Sequence, residues 1–197
     1  MARARTTRDI ILDTAVEMFN EQGTAAVSTN HIAAAAGISP GNLYYHFRNK
    51  EDIIRSILDR MYEDWNAVYQ VPADASFDLD ILRQALRKNF DLLWRYRLFY
   101  RELVTLVRHD RELGNRHTAI QRQRQREQLA LFDRLAAAGV FKWPRQRSDV
   151  EATLTVAWIV GSYWLAYLES SGEAVTPELV QQGVNLVAGL YTSYLNL

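Results

Sequence analysis

The sequence has no cysteine, little proline or glycine, and no net charge. Its 197 residues include 0 Cys, 4 Pro and 9 Gly, which excludes disulfide scaffolds, thiolate metal sites and cysteine nucleophiles. Basic and acidic residues balance at 23 each, so the molecule as a whole has no global attraction to nucleic acid. Any contact with DNA must therefore come from a local patch.

The chain also lacks a long hydrophobic run. Its longest uncharged stretch, 152–168, holds 17 residues; as a helix it would span about 25 Å, short of the roughly 30 Å hydrocarbon layer of a membrane. The first residues, MARARTTRD, have no apolar segment of the kind that secretory signals contain. We therefore expect a buried helix at 152–168 and a protein that resides in the cytoplasm.

Apolar residues recur at helical spacing along the chain, and the glycines and prolines fall between the periodic segments, a pattern that predicts an all-α protein. The predicted helices are 7–22, 29–36, 40–47, 51–70, 78–95, 97–108, 111–138, 148–169 and 177–195. A proline-containing stretch at 70–78 indicates a linker. We accordingly predict two domains: 1–50, linked through the helix 51–70, and 76–197.

Two short predicted helices, joined by a glycine-containing turn, form a helix-turn-helix pattern at 28–47, a motif whose second helix can enter the major groove. With about 100° per residue, Leu43 and Phe47 share the side of that helix expected to face the core. The opposite side carries Ser39, Asn42, Tyr45 and His46. Exposed amide and hydroxyl groups suit the reading of base edges. Periodicity alone leaves open a purely structural three-helix subdomain.

The stretch 7–54 closely resembles the N-terminal domain of the tetracycline-repressor (TetR) family of bacterial regulators. The resemblance is carried by Ala36-Gly37-Ile38-Ser39 and above all by Leu43-Tyr44-Tyr45-His46-Phe47-Arg48-Asn49-Lys50. It implies an N-terminal three-helix helix-turn-helix DNA-binding domain and a C-terminal helical domain for ligand binding and dimerisation. It also implies a repressor that a small, largely apolar effector releases from its operator, and a protein that is associated with the nucleoid when bound to DNA.

The resemblance further implies roles for individual residues. The residues expected to read bases are Asn30, Asn42 and Tyr45. Those expected to hold phosphates are Thr29, Tyr44, His46 and Lys50, joined by Arg3 and Arg5 of the N-terminal arm. Pro40 and Gly41 replace polar residues that some members use, so the base preference of a relative does not transfer to this chain.

The last two predicted helices each carry an apolar stripe interrupted by small residues. The first stripe is Leu154, Ala157, Gly161, Leu165 and Leu168, and the second is Leu179, Gly183, Leu186, Leu190 and Tyr194. Pairing these helices with a second copy would form a four-helix bundle, and the resemblance implies the same homodimer. Completion of the monomer core is the alternative.

Large aromatic residues concentrate in the second half of the chain and suit an apolar effector pocket. The residues chosen for its lining are Phe90, Trp94, Phe99, Trp158 and Tyr163. A packed core gives the same pattern, so this assignment stays open. Arg101, Glu102 and His109 are candidates for orienting a polar group of the effector.

An enzyme is the rival class of function, but the sequence lacks a phosphate loop, a zinc-binding helix motif and a nucleophile elbow. We therefore expect no catalytic residues, cofactor or metal. The expected partners are operator double-stranded DNA, a second copy of the chain and an unidentified small molecule, with no membrane. A DNA-binding architectural or division-linked protein of the same fold, without a ligand, is the alternative function.

Overall fold

A computed structural model of the chain describes residues 5–68, 79–142, 147–192 and 194. The described residues form nine helices and no strand, which confirms the all-α prediction. The helices are α1 Thr7–Gln22, α2 Thr29–Ala35, α3 Pro40–His46, α4 Lys50–Val68, α5 Leu79–Arg95, α6 Arg97–His109, α7 Arg111–Ala137, α8 Arg147–Ser170 and α9 Pro177–Thr192. Each corresponds to a predicted helix. The predicted linker 70–78 lies outside the described residues.

The chain packs as two compact units, each built from two segments. The first unit comprises Met1–Asp64 and Arg95–Gly114, and the second comprises Trp65–Trp94 and Asn115–Leu197. The segment Arg95–Gly114 was expected in the second domain, whereas the structure places it in the first unit, where α6 contacts α1. A domain boundary predicted along the sequence cannot show that a later segment packs with an earlier unit.

In the first unit, short polar side chains begin the helices. At the start of α1, the Thr6 hydroxyl accepts the Asp9 N–H at 3.2 Å and the Asp9 carboxylate accepts the Thr6 N–H at 2.9 Å. Ser39 does the same for α3, its hydroxyl accepting the Asn42 N–H at 3.2 Å. These bonds satisfy amide groups that have no partner within the helix. The helix starts are therefore set locally, as the sequence predicts.

The start of α6 is capped from outside its own segment. Its N-cap residue, Tyr96, makes no side-chain capping bond. Instead, Asn20 of α1 accepts the Leu98 N–H at 3.0 Å and donates to the Arg95 carbonyl at 2.8 Å. Because Asn20 is buried, both bonds are shielded from competing water. This contact ties the segment Arg95–Gly114 to α1.

In the second unit, α8 and α9 pack side by side, and a glycine permits the approach. A Cβ at Gly183 would lie 2.4 Å from the Trp164 ring and 2.8 Å from the Phe90 ring. The Trp164 indole N–H donates to the Leu179 carbonyl at 2.8 Å. Gly183 therefore makes room for aromatic rings of its own chain, whereas its place in the predicted dimer stripe assigned it to contact with a second copy.

Candidate nucleic-acid interface and ligand cavity

Helix α3 presents one polar and one apolar side, as its periodicity predicts. Leu43 and Phe47 are 0% and 1% exposed, whereas Tyr45 is 84% exposed and Asn42 is exposed as well. The Asn42 side chain makes no hydrogen bond with any described residue. Its amide is therefore available to a base edge, with which an asparagine can form two hydrogen bonds. Asn30, on α2, is also exposed.

Three of the predicted phosphate-binding residues line one cleft in the first unit. The hydroxyls of Thr29 and Tyr44 lie 3.0 Å apart, and both residues line an open cleft of about 330 Å³ together with Lys50. Hydroxyl and ammonium groups are common donors to phosphate oxygens. The structure thus brings together residues from α2, α3 and α4 that lie up to 21 positions apart in the sequence.

The Lys50 ammonium has a second set of partners that sequence reasoning did not find. It donates to the carbonyl oxygens of Thr24 and Val27, at 2.7 and 3.1 Å. These carbonyls belong to the loop between α1 and α2. An ammonium group has three donors, so the third N–H can serve a phosphate while the other two hold the loop.

Of the remaining predicted phosphate contacts, His46 and Arg5 already contact other side chains of the protein. His46 is half-buried, and its ring meets the edge of the Tyr45 ring at a centroid distance of 5.1 Å. Arg5 is exposed but forms an ion pair with Asp13 of α1. Arg3 lies outside the described residues. The arm residue that the structure describes is thus already paired with a carboxylate.

Two further arginines lie at this surface: Arg48, which was not among the predicted contacts, and Arg8, which belongs to the same basic N-terminal arm as Arg3 and Arg5. Arg48 is exposed and lines the same cleft as Lys50. Arg8 places its guanidinium 4.4 Å from the centroid of the Phe47 ring and donates to the Ser56 hydroxyl at 2.8 Å. The signal for Arg48 was its position beside Asn49-Lys50, whereas Arg8 is connected to α3 only through the tertiary fold.

The second unit contains a small cavity of about 50 Å³. Trp65 and Trp158 line it, with ring centroids 6.4 Å apart. Among the described residues that line it, Arg124 is the one charged side chain; it is buried and pairs with Glu127 at 3.0 Å. A groove of about 480 Å³ between α7 and α8 is also lined by Trp158, so this side chain borders both spaces.

The predicted effector residues are only partly brought together. Trp158 lines the cavity and the groove. Phe99 is buried in the first unit, not the second. Phe90 is buried against the Gly183 position, and Trp94 and Tyr163 are exposed. The other four aromatic residues thus lie in the core or at the surface of the described chain, because aromatic residues in a helical domain divide among core, surface and cavity according to packing.

The three candidates for orienting an effector also lie in the first unit. Glu102 accepts the Thr24 N–H at 3.0 Å and also bonds the Thr24 hydroxyl. Arg101 donates to the Asn20 carbonyl at 2.7 Å, and His109 bonds the Thr105 carbonyl. Glu102 and Arg101 thus link α6 to the end of α1 and the loop after it, whereas His109 bonds within α6.

The α8 stripe that was predicted to form a dimer interface faces the core. Its five residues are all buried within one chain: Leu154, Ala157, Gly161, Leu165 and Leu168. On α9, Gly183 is buried as well, Leu179 and Leu190 are half-buried, and Leu186 is exposed; Tyr194, which follows the end of α9, is half-buried. The α8 part of the assignment is corrected accordingly, because a residue that is buried in its own chain offers little surface to a second copy.

A different stripe of α8 faces solvent. Its large apolar members are Val156, Ile159, Tyr163 and Tyr167, and Leu186 of α9 is exposed too. The α8 residues are three or four positions apart, so they follow one side of the helix. Exposed apolar side chains gathered on one side of a helix are typical of a surface that another protein covers.

Two family models match adjoining parts of the chain. The model described as bacterial regulatory proteins, tetR family, matches residues 11–57, and the model described as bacterial transcriptional repressor matches residues 60–196. The chain belongs to the TetR family. This confirms the resemblance of the helix-turn-helix segment and extends the TetR-family assignment to α5–α9.

Individual relatives agree with the TetR-family assignment. A crystal structure of a TetR-family transcriptional regulator from Marinobacter aquaeolei is 36% identical, covers 98% of this chain and 92% of that chain, and has a TM-score of 0.84. The repressor KstR2 of Rhodococcus jostii is 25% identical over 91% of this chain and 88% of its own. The repressor NicS of Pseudomonas putida is 32% identical over 53% of this chain, but this match spans only 48% of NicS.

These TetR-family relatives are transcription regulators, in agreement with the expectation of a regulator and not an enzyme. No helix in the described ranges is both long enough and apolar enough to cross a membrane. Within the same ranges, no group of three or more His, Asp or Glu residues is placed to hold a metal ion.

Proposed function

We propose that this chain is a homodimeric transcription regulator that binds operator DNA through α3 and releases it when a small, largely apolar effector binds. We place it in the cytoplasm, on the nucleoid while it is bound to DNA. The observation that carries the proposal is the exposed Asn42 and Tyr45 side of α3, set above a fully buried Leu43. This geometry leaves groups that can read bases in water while their helix is anchored.

Affinity and sequence preference come from different residues in this proposal. The cleft of Thr29, Tyr44 and Lys50 supports phosphate binding, which provides salt-dependent affinity for any duplex. Asn42, Tyr45 and Asn30 add discrimination between sequences, with about 1–3 kcal/mol for each bidentate base contact. His46, Arg5 and Arg3 keep their predicted role as phosphate contacts.

Two copies are needed because one small module binds DNA weakly, and a two-fold axis presents two recognition helices to neighbouring turns of the duplex. The exposed stripe of Ile159, Tyr163 and Tyr167 supports α8 as the interface, together with Leu186 of α9. This proposal keeps the predicted four-helix arrangement of α8 and α9 but uses the outward side of α8.

The effector site in this proposal consists of the small cavity and the adjoining groove, on either side of Trp158. A cavity of about 50 Å³ is smaller than the roughly 300–1,000 Å³ of typical ligand sites. An effector that enters from the groove must therefore displace the Trp158 ring. A protein of the same fold, SmeT, has been solved in complex with triclosan; it is 20% identical over 98% of this chain and 93% of that chain, with a TM-score of 0.67.

An effector shifts an equilibrium only if it prefers one of two arrangements. Trp65, which lines the cavity, and Lys50, which contacts the α1–α2 loop, are both residues of α4. We propose that effector binding moves α4 and changes the spacing of the two α3 helices in the dimer, and that this releases the operator.

DNA selection followed by affinity measurement tests the proposal. Duplexes that the full-length chain retains from a random pool are titrated by fluorescence anisotropy against scrambled duplexes of equal length. We expect Asn42→Ala to reduce the ratio of the two affinities about tenfold, since it removes base contacts. We expect Lys50→Ala to weaken both affinities equally and to lower the salt slope by about one.

Lys88→Ala, at an exposed position of α5, removes one positive charge away from α3 and is the control. It should change neither the affinity ratio nor the salt slope. A wild-type chain that retains no sequence from the pool, or an Asn42→Ala variant with an unchanged affinity ratio, would contradict the proposed use of α3.

A further inference from the structure

The groove between α7 and α8 carries two positive charges on its α7 wall. Arg122 and Arg126 line it from α7, four positions apart, and both are exposed. Like charges at this spacing repel each other along a helix. Neither guanidinium forms an ion pair or hydrogen bond with any residue that the structure describes. The two like charges therefore stand side by side without compensation from the described part of the chain.

The neighbouring arginine of the same helix shows the contrast. Arg124 is buried, pairs with Glu127 at 3.0 Å and donates to Asn66. Its charge is thus neutralised within the chain, as buried charges generally are. The pair in the groove has no such arrangement, although the groove has an acidic residue on its α8 wall, Glu151.

The rest of the groove is suited to an organic body. Leu129 and Leu154 line it together with Trp158, whose flat ring can pack on an aromatic or aliphatic group. Its volume of about 480 Å³ falls within the range of sites that hold small molecules. Apolar walls together with two guanidinium groups match a molecule with an acidic end and an apolar remainder.

We propose that the α7–α8 groove binds a small organic anion. Arg122 and Arg126 receive its carboxylate, and Trp158 packs against its apolar body. An arginine guanidinium presents parallel N–H groups that match the two oxygens of a carboxylate. This inference rests on the proposed function, because it gives the chemical class of the effector. Binding of the anion also removes the repulsion between the two arginines.

Matched pairs of ligands test the inference by isothermal titration calorimetry on the full-length protein without DNA. The probes are benzoate and benzamide, 2-naphthoate and 2-naphthamide, and decanoate and decanamide, so that each pair differs only in the charged end. We expect at least one acid to bind about tenfold or more tightly than its amide, because charge-assisted hydrogen bonds exceed neutral ones. If no acid binds more tightly than its amide, the inference is wrong.

The double variant Arg122→Gln/Arg126→Gln should lose this preference, and Trp158→Ala should weaken acid and amide alike. Arg111→Gln, at an exposed position of the same helix outside the groove, is the charge-matched control and should bind the acid as the wild type does. A double variant that keeps the wild-type preference for the acid would overturn the role of the two arginines.

DNA titrations separate this inference from the proposed function. Without ligand, the double variant should bind selected DNA with wild-type affinity, since neither arginine lies in the first unit, which contains α3. The preferred acid should lower the DNA affinity of the wild type and leave that of the double variant unchanged. An acid that binds in the groove without changing the DNA affinity of the wild type would overturn its identification as the effector, whereas loss of all DNA binding by the wild type would overturn the proposed function.

Discussion

Helical periodicity identifies the buried side of α3 but not that of α8. On α3 the apolar residues occupy one side and polar residues the other, and Leu43 and Phe47 are buried as predicted. On α8 the uncharged run 152–168 contains two stripes at helical spacing. The stripe predicted to face a partner is buried in the chain, and the one that includes Ile159 and Tyr163 is exposed.

The comparison shows that periodicity identifies the buried side of a helix only when the opposite side is polar. In α3 the contrast between leucine and asparagine decides the orientation, because burial of an unpaired amide is costly. In α8 no such cost separates one apolar stripe from another, and packing against α9 makes the choice. The following experiments test whether this contrast holds, in order of decreasing expected effect.

The predicted orientation of α3 is tested by the variant Leu43→Ala. The side chain is fully buried, so its loss leaves a cavity and should lower the free energy of unfolding by about 2–5 kcal/mol. Urea unfolding monitored by circular dichroism measures this. The control Tyr45→Ala, on the exposed side of α3, should change stability by less than about 0.5 kcal/mol. Equal losses for the two variants would contradict the assigned orientation of α3.

The exposed stripe of α8 is tested by the double variant Ile159→Glu/Tyr163→Glu. If the exposed stripe forms the proposed dimer, four carboxylates are brought into an apolar interface, and dimer dissociation should increase about 100-fold or more. Sedimentation velocity at several concentrations measures the change. Glu151→Gln, at an exposed position of the same helix, should leave the dimer intact. A double variant that still sediments as the wild type would locate the interface elsewhere.

The packing of α8 on α9 is tested by Gly183→Ala. The added methyl group would lie 2.4 Å from the Trp164 ring, and such overpacking should cost about 1–3 kcal/mol of stability. Gly189→Ala is the matched control, because no atom beyond its chain neighbours and the adjacent backbone of its own helix lies within 4 Å of its Cβ position. It should be neutral or slightly stabilising, as alanine favours a helix more than glycine does. Thermal unfolding of both variants distinguishes a packing glycine from a surface glycine.

The smallest expected effect concerns the half-buried His117 of α7 in the second unit. Burial lowers the pKa of this imidazole below its ordinary value of 6.5, so below about pH 6.5 the unfolded chain takes up a proton more readily than the folded one. The contribution of this imidazole to the free energy of unfolding is therefore fully present above that pH and declines as the pH falls. Urea midpoints at pH 7.5 and 5.5 should differ less for His117→Gln than for the wild type, and an identical difference would exclude this contribution.

Most of the fold could be predicted from local signals. The helix starts depend on residues next to them, as with Ser39 at the start of α3, and the breaks depend on glycine and proline. The α6 segment shows the limit of such signals. Its start is capped by Asn20, about 80 positions earlier in the chain, and nothing in its own sequence indicates the unit to which it belongs.

The candidate sites also include residues that local patterns predict and residues that only the tertiary structure brings together. The exposure of Asn42 and Tyr45 could be predicted from the helix geometry of the stretch 39–47, because it follows from the burial of Leu43 and Phe47. The lining of the small cavity could not be predicted in this way, since Trp65, Arg124 and Trp158 come from three helices. Whether a given aromatic ring fills a core or borders a cavity depends on the volumes that surround it, which a linear pattern does not contain.

The amino-acid sequence by itself determined where the helical segments lie, the polar side of α3 and the family, because capping, turn chemistry and helical periodicity act over a few neighbouring residues. The tertiary structure alone decided which side of α8 is buried, that α6 packs with α1, and that Lys50 bonds the carbonyls of Thr24 and Val27. These features depend on side chains that are distant in sequence and that meet only when the helices pack, where volume and hydrogen-bond satisfaction select among arrangements that local patterns leave equivalent.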